Sequence, residues 1–327
     1  MASVQVSTGL RLRPYAGGAD LAEVVRLLNA EAAADGLQRR TSLEELGAIY
    51  AHPSVAFDPA RDVTVAEIDG EVVAVGERET VDTTDGLREY RLDGVVDPAW
   101  RRRGIGRALL RESECIARER ASVDGHASPI LGSWSWETQP GDRALLEWAG
   151  FEPARWFFDM VRPTLDDVVD VALPDGLEIR SIDASLARAV WAADIDAFAD
   201  HWGGFDHSEE NLQRWLDAPT TDLSLWVIAF DGAEIAGGVV NSIDPDQNAA
   251  LGVRRGWLNS VFTRRAWRRR GLATALVARS LTRLRERGMS SAALGVDADN
   301  PNGALGLYER LGFVVDERAI AWRKDLA

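Results

Sequence analysis

The hexapeptide AWRRRG occurs twice in the chain, at residues 99–104 and at residues 266–271, and an Ala- and Leu-rich segment follows each copy. The stretch GLRLRP at residues 9–14 matches GLEIRS at residues 176–181 with the same separation of 167 residues (266 − 99 and 176 − 9). Several matching segments at one fixed separation are the signature of an internal repeat. One duplicated unit therefore accounts for both halves of the chain.

The boundary between the two copies is expected in the stretch RPTLDDVVDVALPDG, at residues 162–176. Pro163 and Pro174 flank a polar segment there, and such segments are typical of linkers. The predicted domains are residues 1–165 and residues 175–327, and a length of 327 residues also favours two domains over one.

Composition restricts the function classes. Asp and Glu number 52 against 37 Lys and Arg, which gives a net charge of −15. A field of this sign repels polyanions, so the arginine runs do not indicate nucleic-acid binding, and cationic substrates such as amines are favoured. The single cysteine, Cys115, excludes an intrachain disulfide and a Cys-rich metal site, and we expect it to be a small buried residue. No metal site is expected.

The chain shows no secretory signal pattern and no apolar run of 18 residues. These features predict a cytoplasmic protein with no membrane partner.

Periodicity predicts the same element order in both copies, β-α-α-β-β-β-α-β-α-β. Asp-Gly pairs at residues 69–70 and 231–232 stand between alternating apolar runs, which is a strong hairpin signal. Ser42 and Ser208 are each followed by glutamates and are expected to be helix N-caps. The predicted class is α/β, with two tandem domains that each form a mixed sheet covered by helices.

Each AWRRRG stretch lies between the end of a strand and the first turn of a helix in this pattern. Free backbone N–H groups and the helix dipole favour an anion at such a position, and a pyrophosphate fits. The spacing lacks the third glycine of a dinucleotide fingerprint and the Gly-Lys-Ser/Thr of a Walker loop. A solvated arginine cluster remains the structural alternative.

The pattern Arg-x-x-Gly-x-Gly/Ala resembles motif A of the GNAT N-acetyltransferase superfamily, which binds the pyrophosphate of acetyl-CoA. The second copy adds VDADNPNGALGLYERLGF, at residues 296–313, which resembles motif B of that superfamily. The tandem arrangement is similar to the mycothiol synthase family and other double-GNAT enzymes of actinobacteria. The resemblance implies an acyltransferase that takes acetyl-CoA as the acetyl donor.

The resemblance also implies roles for particular residues. Tyr308 matches the family tyrosine that protonates the departing coenzyme A sulfur, although a core tyrosine is the alternative. The implied acetyl-CoA contacts of the second copy are Val261, Phe262, Thr263, Arg268, Arg269, Arg270, Gly271, Leu272, Ala273, Thr274 and Asn300. Those of the first copy are Val95, Val96, Arg101, Gly104, Gly106 and Arg107.

The strand before the second loop lacks the carboxylate that many members of the family place there as general base. It reads Trp-Leu-Asn-Ser at residues 257–260. A water chain anchored by Asn259 or Ser260 could take the proton from the amine, or the base could come from elsewhere in the chain.

The best outside candidate lies in DIDAFADHWGGFDH, at residues 194–207, in the segment that forms the acceptor-side helices of the family. Asp194 and Asp196, together with Asp200, His201 and Trp202, would bind a cationic acceptor, and a histidine titrates near neutral pH. The structural alternative is that Asp200 ends a helix and Trp202 packs in the core.

The first copy carries Leu146 where the second carries Tyr308. We therefore expect the first domain to be degenerate, holding coenzyme or shaping the acceptor site without turnover. The expected function of the whole chain, as a monomer or homodimer, is N-acetylation of a small polar or cationic amine. A peptide or protein N-acetyltransferase and a non-catalytic acyl-CoA sensor are the alternatives.

Overall fold

The computed structural model describes residues 9–326 of the chain. In chain order, its strands and helices are β1 (Arg11–Pro14), α1 (Gly18–Asp35), α2 (Leu43–Tyr50), α3 (Pro59–Asp62), β2 (Val63–Ile68), β3 (Glu71–Asp82), β4 (Arg88–Val96), α4 (Ile105–Asp124), β5 (Pro129–Trp136), α5 (Pro140–Ala149), β6 (Glu152–Arg162), β7 (Leu177–Arg180), α6 (Ala184–Phe198), α7 (Glu209–Asp217), β8 (Val227–Asp231), β9 (Glu234–Ile243), α8 (Pro245–Leu251), β10 (Arg255–Thr263), α9 (Leu272–Glu286), β11 (Ser291–Asp297), α10 (Ala304–Arg310) and β12 (Val314–Asp325). Both repeats follow the predicted order, with α3 and α8 as additional short helices, so the predicted α/β class is confirmed.

The described residues form two compact units, and neither unit is a simple half of the sequence. The N-terminal unit contains residues 9–155, 202–219 and 319–326. The C-terminal unit contains residues 156–201 and 220–318. Helix α7 follows β7 and α6 in the sequence but belongs to the N-terminal unit. In this unit Arg214 of α7 donates a 2.8 Å hydrogen bond to the carbonyl oxygen of His52.

The N-terminal unit has a mixed sheet in the order β1-β2-β3-β4-β5, and residues 319–325 of β12 add its last strand. All neighbours in it are antiparallel except β4 and β5, which pair in parallel. Trp322 of the last strand is buried against Tyr90 and Leu131, and its indole N–H donates a 2.9 Å hydrogen bond to Ser135.

The C-terminal unit repeats this arrangement. Its strands lie in the order β7-β8-β9-β10-β11, and residues 157–162 of β6 pair with β11 as the last strand. Again, the only parallel pair among the described strands of this unit is β10 with β11. In both units the strand that completes the sheet therefore comes from the other half of the sequence. Local periodicity predicts such a strand but not its partner.

The local signals of the sequence have the expected structural counterparts. Ser42 and Ser208 accept hydrogen bonds from the backbone N–H groups of Glu45 (3.0 Å) and Asn211 (3.2 Å), as N-caps do. The first hairpin turns at Asp69 (φ 52°) and Gly70 (φ 85°), the left-handed pair that a two-residue turn requires.

The expectation that Cys115 is buried is wrong. The residue is exposed on α4, with its sulfur 3.8 Å from a carboxylate oxygen of Glu119. Leu109, six residues before it, is buried on another face of the helix.

Between residues 9 and 326, no helix combines the length and apolar character that crossing a bilayer requires.

Candidate active site

The two AWRRRG loops have the same backbone conformation. In each, a short 3-10 turn is followed by an extended arginine, Arg101 (φ −60°) or Arg268 (φ −63°). The next arginine and the glycine both adopt left-handed conformations, with φ near 65° for the arginine and 82–83° for the glycine. Because L side chains rarely adopt this region, the glycine is required where helix α4 or α9 begins.

Neither helix that follows the loops has a side-chain cap. The first intrahelical hydrogen bonds are donated by Ala108 to Gly104 (3.1 Å) and by Ala275 to Gly271 (3.2 Å). The N–H groups of the preceding helical residues, including Ala273 and Thr274, therefore point out of the helix end, and together with the dipole they favour an anionic group. Leu272 is buried beneath them and anchors the turn.

The first arginine of each loop is held by the protein itself. Arg268 donates hydrogen bonds to the carbonyl oxygens of Thr263 (3.1 Å) and Ala197 (2.8 Å), and its guanidinium forms a 2.7 Å ion pair with Asp200. This ion pair lowers the pKa of the Asp200 carboxyl. The arginine thus ties the loop to the strand before it and to the end of α6.

Arg101 repeats this arrangement in the N-terminal unit. It donates to the carbonyl oxygen of Val96 (3.4 Å) and makes a two-pronged ion pair with Asp35, at 2.6 and 2.8 Å. In both units the extended first arginine positions the loop, and its neighbours supply backbone N–H groups.

The remaining loop side chains differ in exposure. Arg269 and Arg270 are exposed. Arg107 lies with its guanidinium 4.3 Å from the ring centre of Trp148. A Cβ on Gly106 would lie 3.3 Å from a methyl carbon of Leu145, so this glycine permits close approach of α5.

Parallel pairing ends early in both units and leaves a splay between two strands. The β10–β11 pairing stops at Trp257 with Ala293, whereas β10 continues through Val261 and Phe262 to Thr263. In the N-terminal unit the β4–β5 pairing stops at Arg91, before Val95 and Val96. Open backbone groups on β4 and β10 therefore lead to each loop, where an extended pantetheine arm can hydrogen-bond.

In the C-terminal unit, a carboxylate of α6 contacts the strand that leads to the loop. The hydroxyl of Ser260 donates a 2.5 Å hydrogen bond to Asp194 of α6. Burial raises the pKa of the Asp194 carboxyl to about 6, and the hydrogen bond from Ser260 opposes the shift. The register of β10 with β9 shifts between Leu258 and Ser260, and this irregularity places Asn259 at a bulge.

Tyr308 lies on α10 and is 6 % exposed. Its ring packs edge-on against Phe313, with centroids 5.9 Å apart, and burial raises the pKa of the phenol. The phenol hydroxyl forms no hydrogen bond with any residue from 9 to 326. A protonated hydroxyl without a protein partner is suited to donating its proton to a ligand.

The other acceptor-side candidates have structural partners. Asp196 forms a 2.7 Å ion pair with Arg264. The ring of His201 meets Phe198 edge-on at 5.2 Å, and Trp202 belongs to the N-terminal unit, where Arg323 lies 4.2 Å from its ring centre. Asp194 of this set contacts the strand that leads to the loop, through Ser260.

Asn300 lies in the turn between β11 and α10. Its side-chain oxygen accepts a 2.9 Å hydrogen bond from the backbone N–H of Asn302, and its own carbonyl oxygen accepts one from Gly303 at 3.1 Å. The side chain therefore shapes the turn that begins the helix of Tyr308.

The N-terminal unit contains a cavity of about 730 Å³ that opens at its loop. Val95, Val96, Arg101, Gly104 and Gly106 line it. Leu146, at the position of Tyr308, also lines it. Equivalent hydrogen bonds support this match, because Phe151 and Phe313 donate at 3.0 Å to the carbonyl oxygens of Leu146 and Tyr308.

Sequence reasoning missed the carboxylates of this cavity, including the two on its strands. Asp93 of β4 and Glu77 of β3 are cross-strand partners, and both line the cavity. Asp93 is at the position of Ser260, since the two residues are 167 apart (260 − 93), the separation of the repeat. The repeat is the signal that identifies Asp93, because this residue lies on the strand of the first copy that matches β10.

Acetyl-CoA fits the residues present. Two uncapped helix ends with paired left-handed residues offer N–H groups to a pyrophosphate, and the splayed strands offer open backbone to the arm. In the part of the chain from residue 9 to 326, no group of three His, Cys, Asp or Glu side chains is arranged to hold a metal ion.

Two profiles of the GNAT acetyltransferases match the chain, one described as a GNAT domain at residues 59–153 and one as the GNAT family at residues 189–313. A mycothiol acetyltransferase of Geodermatophilus obscurus is 28 % identical over 310 residues, covering 94 % of each chain. One of Salinispora tropica is 30 % identical over 258 residues, covering 78 % of each. The crystal structure of a GCN5-related N-acetyltransferase from Sphaerobacter thermophilus is 25 % identical, covers 98 % of this chain and 97 % of its own, and has a TM-score of 0.71.

Proposed function

We propose an acceptor class and a proton route for the reaction of this chain. The chain belongs to the GNAT acetyltransferase family, and it is an acyltransferase that uses acetyl-CoA as its acetyl donor. The acceptor is a small polar or cationic primary amine, and the C-terminal unit acetylates it. The observation that carries this proposal is the contact between Asp194 and Ser260. Ser260 lies on the strand that leads to the loop, and Tyr308 belongs to the same unit.

The proposed route uses two proton carriers of this unit. When bound, acetyl-CoA supplies the acetyl group as a thioester. Asp194 accepts the proton that the amine loses as its nitrogen bonds to the carbonyl carbon, directly or through the hydroxyl of Ser260. Tyr308 gives its phenolic proton to the sulfur as the C–S bond breaks. Exchange with solvent then returns both residues to their starting states.

The perturbed pKa values suit these roles. An Asp194 carboxyl with a pKa of about 6 is ionised near pH 7 and is a stronger base than an ordinary aspartate. The buried Tyr308 phenol has a raised pKa and stays protonated until the thiolate forms. The loop, held by Arg268 through Asp200, fixes where the pyrophosphate lies relative to both residues.

Charge supports a small cationic acceptor. The net charge of −15 attracts ammonium groups. Because the relatives are mycothiol acetyltransferases, an amine related to mycothiol is the first acceptor to assay.

The experiment is an acceptor screen that measures free-thiol release from acetyl-CoA. Small polar amines, including amino sugars and their conjugates, are compared with peptides bearing free N-termini or lysines. We expect release with small amines. Release with peptides alone would favour a peptide N-acetyltransferase, and calorimetric binding of acetyl-CoA without release for any acceptor would indicate a sensor.

A further inference from the structure

The cavity of the N-terminal unit has acidic groups at its inner strands and apolar walls. Its apolar lining comes mainly from leucines and tryptophans, among them Leu92, Leu109, Leu145, Trp134 and Trp136. A volume of about 730 Å³ is within the range of sites that bind small molecules. The rest of the lining is polar, so a ligand that fills the cavity combines an apolar body with polar groups; the charged lining residues away from the inner strands are Glu31, Asp35, Asp142, Arg39, Arg101, Arg102 and Arg107.

Asp93 is open to the cavity but has no polar partner. Its carboxylate forms no hydrogen bond or ion pair with any residue between 9 and 326. Its cross-strand neighbour Glu77 accepts a hydrogen bond from the hydroxyl of Tyr50. Because Asp93 is exposed and lines the cavity, its carboxylate is free to accept a hydrogen bond from a ligand there.

The charged groups around Asp93 come from two strands. Glu77 and Glu79 face it from β3, and Glu89 and Arg91 lie on its own strand. Burial, reinforced by the charge of Glu77, raises the pKa of the Asp93 carboxyl to about 7. Among these groups acidic side chains outnumber the single arginine, and the four arginines of the cavity lining lie on other elements, as do Glu31, Asp35 and Asp142. The field at Asp93 therefore favours a cation.

We propose that this cavity is a second acetyl-transfer site, which binds a primary amine with an apolar or aromatic body and uses Asp93 as the proton acceptor. The ammonium group lies between Asp93 and Glu77, and the body of the amine packs on the leucine and tryptophan walls. The N-terminal unit then catalyses acetyl transfer itself. The presence of Leu146 at the position of Tyr308, taken alone, predicts instead a supporting role for this unit.

The chemical step does not require a tyrosine to protonate the departing sulfur. The bound ammonium first loses one proton to solvent water. The neutral nitrogen then bonds to the carbonyl carbon of acetyl-CoA, a second proton passes from the nitrogen to Asp93, and the C–S bond breaks. The sulfur leaves as a thiolate and takes a proton from water. A thiol has an ordinary pKa of about 8.5, so this departure is feasible near neutral pH, although slower than with an acid.

The experiment uses the full chain with Tyr308→Phe, which removes the proton donor of the C-terminal unit. Free-thiol release is followed with acetyl-CoA and 2-phenylethylamine. We expect amine-dependent release that falls at least tenfold when Asp93→Asn is added, and a rate that declines as the pH is lowered through about 7 only while Asp93 is present. Calorimetry with 2-phenylethylamine should show weaker binding by the same variant.

Asp69→Asn in the Tyr308→Phe background is the matched control, because Asp69 lies in the exposed β2–β3 turn and asparagine also tolerates its φ of 52°. The proposal is overturned if Tyr308→Phe releases no thiol with aralkyl amines, or if Asp93→Asn leaves the residual rate unchanged. The reaction proposed for the C-terminal unit fails by a different result, an unchanged rate with polar amines in Tyr308→Phe.

Discussion

The two units have the same backbone frame but different reactive groups at matching positions. Where the N-terminal unit pairs Asp93 with Glu77 across two strands, the C-terminal unit pairs Ser260 with Val240. The C-terminal unit instead brings its carboxylate, Asp194, from a helix. One unit therefore combines a carboxylate on a strand with Leu146, and the other combines a carboxylate on a helix with Tyr308.

This difference shows which parts of a duplicated enzyme can change independently. The loops share their left-handed residues and their arginine–aspartate ion pairs, because these features fix the anion site in the backbone. The side chains facing the acceptor have no such constraint. Two sites with one donor and different acceptors can thus arise from one repeat.

Asp194→Asn is expected to have the largest of the following effects. Loss of a positioned base should lower kcat for a polar amine by about 100-fold. In the native enzyme, protonation of Asp194 should reduce kcat as the pH falls through about 6, and the variant should lack this decline. Steady-state rates from pH 5 to 8 measure both effects. Asp183→Asn, which keeps an N-cap on the same helix, is the control and should behave as native. Native-like rates in Asp194→Asn would place the base elsewhere.

Arg268→Ala should mainly weaken acetyl-CoA binding. The change removes the ion pair with Asp200 and the hydrogen bonds to Thr263 and Ala197, so the loop loses its fixed position. We expect KM for acetyl-CoA to rise about tenfold, equivalent to roughly 1.4 kcal/mol, with a smaller change in kcat. Arg287→Ala, which removes an exposed ion pair at the other end of α9, should leave KM within twofold. A KM that does not move would show that the ion pair is dispensable.

Gly271→Ala tests the backbone of the same loop. A side chain at φ 82° costs about 1 kcal/mol or more, so KM for acetyl-CoA should rise several-fold. Gly295→Ala in β11 places its methyl group at an ordinary contact distance of 3.5 Å from Asp159 and is the matched control. Equal kinetics in the two variants would exclude a role for the left-handed turn.

Leu146→Tyr in the Tyr308→Phe background should have the smallest effect of these variants. It tests whether the N-terminal unit gains activity from a phenol at the position of Tyr308. Leu146 lines the N-terminal cavity, so a phenol there should protonate the departing thiolate and speed release with 2-phenylethylamine about threefold. Leu146→Phe adds a similar ring without the hydroxyl. If both variants change the rate equally, packing and not proton donation is responsible.

Sequence predicted the parts of this fold that local chemistry determines. The hairpin at Asp69, the N-caps at Ser42 and Ser208 and the glycine turns of both AWRRRG loops depend on residues close together in the chain. The strands exchanged between the halves could not be predicted, because the periodicity of a strand does not identify its partner.

The candidate sites show the same limit. The contact of Asp194 with Ser260 joins residues 66 apart, and the pairing of Arg268 with Asp200 spans 68. Neither has a local pattern. Asp93 was within reach of sequence reasoning through the repeat, but its isolation within a cavity is a property of the folded unit alone.

The most direct test of the account is kcat for the preferred polar amine in Tyr308→Phe, measured by thiol release at saturating acetyl-CoA. Removing the hydroxyl while keeping the buried ring should lower kcat by about 100-fold, with binding of acetyl-CoA unchanged. A kcat equal to that of the native enzyme would contradict the assignment of this reaction to the C-terminal unit.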